Sequence, residues 1–176
     1  MTTFHAVEAD RVGASSRDQV AQALVQWSTE RPDLDVSPQA VIGRVQRLAC
    51  RLGDELAAEY VHHGLDDDEF DVLETLRLVG EPYTATRAEL ARRTATATWE
   101  ADRRLERLVD AGLAWVGETH AGLTPAGRVV IDEAVTARVA QEHRLIGPLT
   151  PAERADLERL LTRWIDALEG PDVVGR

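Results

Sequence analysis

Residues 84–128 read TATRAELARRTATATWEADRRLERLVDAGLAWVGETHAGLTPAGR, and this stretch decides the fold. Thr86 and Glu89 stand at the spacing of a capping box, in which hydroxyl and carboxylate each satisfy an orphaned N–H at a helix start. Thr98 is placed to cap a second helix, with Glu100 and Asp102 in its first turn, where acids favour the dipole. Leu105, Leu108 and Val109 give that helix one apolar face. Gly112 suits the position just past its end, where a left-handed backbone favours glycine. Leu113 to Val116 reads as a strand, Glu118 to Gly122 as a tight turn and Leu123 as the return. Thr124-Pro125 restarts a helix as N-cap and first residue. Two short helices and a hairpin compose a winged helix-turn-helix, whose second helix is the one that enters the major groove.

The flanks are helical. Residues 1–14 read as frayed or merely docked. Asp18 to Ser28 is a first helix with Val20, Leu24 and Trp27 on one stripe, closed at Arg31-Pro32. Ser37-Pro38 opens a long second helix, in which Val41, Val45, Leu48, Leu52, Leu56 and Tyr60 recur at spacings of three and four. Asp66 or Asp67 caps a third, containing Phe70, Leu73, Leu76 and Val79 and closed by Gly80. Beyond the wing, a helix runs from Pro125 to about Leu145. The capping box Thr150-Pro151-Ala152-Glu153 then opens the last one, with Leu157, Leu161, Trp164 and Leu168 on one face. The expected segments are 1–66 and 124–176 as dimerisation helices and 67–123 as the winged lobe, within one intertwined domain. Either the stripes at both chain ends pack within one chain, or they pair with a second copy around a twofold axis. One winged core cannot bury them all, which favours a homodimer with interlocked N- and C-terminal helices.

The chain has 176 residues, and its 44% hydrophobic content is enough for a core, while only 5% aromatics leaves that core to Leu, Val and Ala. The net charge of −11 is awkward for a DNA-binding protein, because affinity for phosphates comes largely from Lys and Arg, but a local patch can act on its own. Neither a membrane-length apolar run nor a signal peptide is present, so the expected location is the cytoplasm, without a membrane partner. The single cysteine, Cys50, reads as a small buried hydrophobe in a helix; a redox sensor is the alternative. No metal-ligand spacing, cofactor motif or nucleophile–base arrangement appears, so no catalytic residue is assigned.

An ordered set of short motifs resembles the MarR family of ligand-responsive regulators. It comprises Glu69-Phe70-Asp71-Val72-Leu73, Gly80-Glu81-Pro82-Tyr83, Glu89-Leu90-Ala91, Arg104-Leu105-Glu106-Arg107-Leu108, Ala111-Gly112-Leu113, Leu123-Thr124-Pro125-Ala126-Gly127-Arg128 and Leu149-Thr150-Pro151-Ala152-Glu153-Arg154. The resemblance covers roughly residues 37 to 168. It implies a winged dimer whose lobes hang below interlocked terminal helices, with a ligand cleft between dimer helices and lobe.

The DNA face departs from what it resembles. The family's recognition helix opens with small hydroxyl residues and glycine; here the positions read Ala97-Thr98-Trp99-Glu100-Ala101-Asp102. Two acids facing phosphates weaken binding. The wing is shortened, with no Lys or Arg between Trp115 and Leu123 and His120 as its one residue able to carry positive charge. Over residues 84–123, six arginines meet six acids, so the module is neutral where a nucleic-acid binder is usually basic. Arg92, Arg93, Arg103 and Arg107, with the hydroxyls of Thr96 and Thr98, are the candidate DNA contacts. Ion pairing along the helix, Arg103 with Glu100 or Glu106, is the alternative use of the arginines.

Within the family, the chain resembles a urate-responsive subgroup (UrtR/PecS/TamR-like). Trp27, Asp71 and Arg104 match its Trp, its Asp and its recognition-helix Arg; its other Arg falls at Leu78, beside Arg77. The resemblance thus implies a ligand site of Trp27, Asp71 and Arg104 for an anionic or phenolic small molecule, to which His63, at the end of the long helix, is added as a candidate. Set against this, Trp27 can be a packing residue, Asp71 and Arg104 a salt bridge, and His63 a helix-end residue beside His62. Two functions follow. One is a repressor that binds a pseudo-palindromic operator as a dimer and is released by ligand. The other is a repurposed fold that binds or transforms a small molecule in its cleft without DNA, with acid–base work falling to His63, Asp71, Glu74 or Arg104.

Overall fold

The computed structural model describes residues 18–170; the expectation for residues 1–14 lies outside them. Seven helices and three short strands follow one another as α1 (Gln19–Glu30), α2 (Gln39–His62), α3 (Asp67–Leu78), β1 (Thr84–Thr86), α4 (Arg87–Arg93), α5 (Thr98–Asp110), β2 (Ala114–Val116), β3 (His120–Leu123), α6 (Pro125–Leu145) and α7 (Pro151–Glu169). The chain divides into two compact units, the first ending at Gly53 and the second beginning at Asp54, so α2 contributes to both.

In the first unit α1 lies close against the start of α2. The Asp18 side chain caps α1 by accepting from Val20 and Ala21 N–H, and it also pairs with Arg44. Gly43 makes the close approach possible, since a Cβ there would come within 3.1 Å of a Val20 methyl. No residue of α1 is buried, and Val41, Val45 and Leu48 of α2 are also exposed. Cys50 is exposed rather than buried: it lines the groove between α1 and α2 instead of a closed core.

The second unit holds the core. Phe70, Leu73 and Leu76 of α3, Leu90 of α4, Leu105 and Leu108 of α5, and Ile131 and Ala134 of α6 are buried together. Tyr60, near the end of α2, stacks on Phe70 with ring centroids 4.1 Å apart. Asp66 caps α3 through a reciprocal box with Glu69, and Thr150 caps α7 in the same way with Glu153. The Thr86 cap is half of the expected box: its hydroxyl accepts from Glu89 N–H, while the Glu89 carboxylate turns to Arg93. Thr98 is the first residue of α5, not its cap; Ala97 takes the cap position and offers no side-chain acceptor.

The wing is larger than a hairpin. Three antiparallel strands run in the order β1-β3-β2, with Thr84 opposite Gly122 and Trp115 also opposite Gly122. The return strand starts at His120, inside the segment expected to be turn, because Ala121 and Gly122 pair with partners on both sides. Gly122 must lack a side chain: a Cβ would lie 2.7 Å from the Trp115 ring and 2.8 Å from the Thr84 methyl. Gly127 lets α6 start hard against the wing, since a Cβ would sit 1.8 Å from the Leu113 carbonyl oxygen. The architecture is mainly helical with a small β wing, as the sequence predicts.

Candidate nucleic-acid interface

The helical repeat of α5 sorts its residues into two faces. Ala101, Arg104, Leu105 and Leu108 point into the second unit and are buried. Trp99, Arg103 and Glu106 recur at four and three residues on the opposite face, and all are exposed, Trp99 by 67%.

The two acids expected to repel phosphates are engaged elsewhere. Glu100 lies 3.5 Å from Arg104, whose guanidinium also pairs with Asp68 of α3 at 2.9 Å. The Arg104 side chain is only 7% exposed, so the ion pair is anchored from inside. Asp102 faces Arg87, the first residue of α4, at 3.6 Å. Arg87 reaches the wing as well, donating to the Gly117 carbonyl at 3.2 Å. One guanidinium therefore joins α4, the recognition helix and the wing, a link that no local sequence signal announced.

The candidate DNA contacts divide accordingly. Arg92 and Arg103 make no ion pair among the described residues, so the alternative pairing of Arg103 with Glu100 or Glu106 does not form. Thr98 is exposed beside Trp99. Arg93 is paired with Glu89 at 2.8 Å, and the Thr96 hydroxyl bonds that of Thr94. Arg107 leaves the groove side: it pairs with Glu69 at 2.9 Å and Asp66 at 3.0 Å, across the start of α3. In the wing, Gly117 N–H donates to the His120 carbonyl to close the turn, and His120 Nδ1 lies 2.7 Å from the Thr119 hydroxyl.

The expected ligand residues belong to both units. Trp27 lies in the first unit on α1 and is half exposed. His63, Asp71 and Arg104 belong to the second unit, and His63 forms no ion pair or side-chain hydrogen bond with either of the others. The alternative of an Asp71–Arg104 salt bridge does not hold, because Arg104 takes Asp68 and Glu100 as partners. Asp71 instead lines a cleft of about 430 Å³ with Glu74, Thr75, Leu78, Arg93, Thr94 and Ala95, between α3 and the turn after α4. Its carboxyl is pushed above the ordinary carboxylate value, first by burial and then by the neighbouring Glu74 charge, with Arg104 opposing. Leu78 occupies the cleft where the resemblance implies a cation. Arg77 points away, to Asp132 at 2.7 Å and over the Tyr83 ring. Sequence reasoning also missed Arg138 of α6, which grips Glu74 at 2.7 and 3.2 Å and stacks over Phe70. Its partner lies 64 residues away, beyond the reach of a spacing argument.

No family model matches the chain. Over 154 residues it is 30% identical to the HTH-type transcriptional regulator PecS of Dickeya dadantii (strain 3937), covering 82% of this chain and 92% of that protein. It is similar in structure to the MarR family protein Rv2887 of Mycobacterium tuberculosis, solved in complex with DNA: TM-score 0.62, 26% identity, 70% of this chain and 96% of that one. BpsR of Bordetella bronchiseptica, whose DNA binding is regulated by 6-hydroxynicotinic acid, superposes with TM-score 0.61 at 26% identity, over 72% and 93% of the two chains.

Proposed function

Because the chain belongs to the MarR family of winged helix-turn-helix regulators, we propose that it is a transcriptional repressor that binds a pseudo-palindromic operator as a homodimer and is released by a small anionic or phenolic ligand. The observation that carries this reading is the disposal of charge on α5. Glu100 and Asp102 are held by Arg104 and Arg87, which leaves Thr98, Trp99 and Arg103 exposed, with Glu106 as the one acid that shares the face of Trp99 and Arg103. The DNA-free alternative drew on those acids, on the bulk of Trp99, on a wing without Lys or Arg and on the cleft; the pairing of Glu100 and Asp102 weakens the first of these grounds. The DNA contacts are then Arg92, Arg93, Thr96, Thr98 and Arg103, with Arg107 serving the lobe's own structure.

The ligand class has support from both sides. Rv2887 has also been solved with salicylic acid, and BpsR responds to 6-hydroxynicotinic acid; both ligands are hydroxylated aromatic acids. Asp71, with its raised carboxyl, is suited to accept from such a hydroxyl. The urate-type subgroup belongs to this proposal too, carried by Trp27, Asp71 and Arg104, although Leu78 withholds one cation. Ligand acts by linkage: it must prefer the conformer whose recognition helices are wrongly spaced. Dimerisation through segments 1–66 and 124–176 accounts for the exposed apolar residues of α1 and α7.

Fluorescence anisotropy tests the reading. The full chain is titrated onto its own upstream DNA and onto scrambled DNA at two salt concentrations. Preference for the upstream duplex, with affinity falling log-linearly in salt, is the expected result. Equal or absent binding at low salt would assign the winged lobe a scaffold role.

A further inference from the structure

Trp99 has no structural employment. It is the second residue of α5, it is 67% exposed, and among the described residues no ring or cation stacks on it. The buried face of the helix is complete without it, filled by Ala101, Leu105, Leu108 and the stem of Arg104. A large indole left in water forgoes the burial free energy that makes tryptophan worth ordering, so its value lies in a surface that covers it.

We propose that Trp99 is the principal specificity residue of the recognition helix, and that it packs against the 5-methyl group of a thymine at one fixed step of each operator half-site. The inference rests on the reading of this lobe as a duplex-DNA binder. Three observations carry it. Residues at the N-terminal end of a recognition helix are those that reach base edges, and Trp99 and Arg103 share the outward face there. The distinctive apolar group that a major groove offers is the thymine methyl, and an indole face has no other strong complement among base edges. The charge around Trp99 permits the approach: Glu100 is tied to Arg104 and Asp102 to Arg87, and Arg103 makes no ion pair among the described residues, so its guanidinium is available to phosphate or guanine, with Glu106 the one acid left on that face. The wing adds weight to the major groove, because no Lys or Arg lies between Trp115 and Leu123 to read the minor one.

The test starts by selecting duplexes from a random library with the full-length protein. Each thymine of the selected operator is then replaced in turn by deoxyuridine, which keeps base pairing and removes only the methyl. Affinities are measured by anisotropy for the parent, Trp99→Ala and Trp99→Phe. At one symmetric position, uracil should weaken the parent about fourfold for each methyl removed, the burial free energy of one such group. Trp99→Ala should lose that discrimination and Trp99→Phe retain part of it, with unchanged thermal melting in both because the side chain is exposed. Uracil tolerated at every thymine, or discrimination that persists in Trp99→Ala, overturns the assignment while leaving the DNA-binding reading intact. Failure to select any sequence at low salt overturns both.

Discussion

Arg104 is the residue on which the recognition helix turns. Its side chain is buried, yet both of its acidic partners are partly solvated, Asp68 at 43% and Glu100 at 32% exposure. Its Nε is buried without a hydrogen-bond partner, so the side chain is held by one end. Arg104→Ala should therefore cost about 2 kcal/mol in urea unfolding, less than a fully buried pair because the stranded acids can hydrate. It should also weaken DNA binding, since Glu100 loses its counter-charge; an unchanged affinity would contradict the charge argument for α5. Asp71 makes the opposite kind of prediction. Its folded carboxyl sits above the ordinary value of 3.8, mainly through burial. Below that ordinary value both folded and unfolded chains carry it protonated, and its stabilising contribution is complete. As pH rises the unfolded chain ionises first, so the contribution is lost as pH passes through the raised folded value. Asp71→Asn should accordingly melt slightly higher than the parent at pH 7, and the two should converge below pH 3.8. A variant that melts lower at pH 7 would mean the ionised carboxylate has a favourable partner.

At the scale of elements, the join between wing and α6 is the most exacting. Thr124 Oγ1 accepts from Gly127 N–H at 2.9 Å and donates to the Gly112 carbonyl at 2.7 Å, so one hydroxyl closes α6 and the end of α5 together. Thr124→Ala should cost about 1–2 kcal/mol, the upper range for a helix cap, measurable by chemical denaturation; a loss below half of that would show that water replaces the hydroxyl. The Thr124 cap was legible in the sequence, as were the caps at Thr150 and at Asp66 or its neighbour Asp67, because a capping motif spans only four consecutive residues; the bond from Thr124 to Gly112, twelve positions back, was not. The strand β1 was not legible: three residues long, it exists through Gly122 and Ala121, more than thirty positions later. Thr98 misled because Thr94, Thr96 and Thr98 all offer a hydroxyl, and the turn spends two of them on each other. The site was less legible than the fold. Sequence placed Trp99, Arg103 and Asp71 correctly on α5 and α3, but the direction of each acid depended on Arg87, Arg104 and Arg138, whose decisive contacts cross between elements.

At the scale of the molecule, apolar surface pulls toward assembly, against the mutual repulsion of two chains of net charge −11. α7 has no buried residue, and Ile165 and Leu168 are 50% and 58% exposed. Replacing both with Asp should leave the helix content of one chain intact while shifting sedimentation from dimer to monomer at micromolar concentration. A variant that sediments as the parent does would move the interface elsewhere. With a net charge of −11, the proposed DNA binding has to draw on a small outward patch and not on the protein's overall field.

The guanidinium of Arg87 stitches α4, α5 and the wing at one point, to Asp102 and to the Gly117 carbonyl. A reading head stitched in this way keeps the same alphabet whatever the rest of the dimer does. On the function proposed above, control by a ligand acts on punctuation: it alters the distance at which two half-sites can be read together, while the letters preferred within each half-site stay the same.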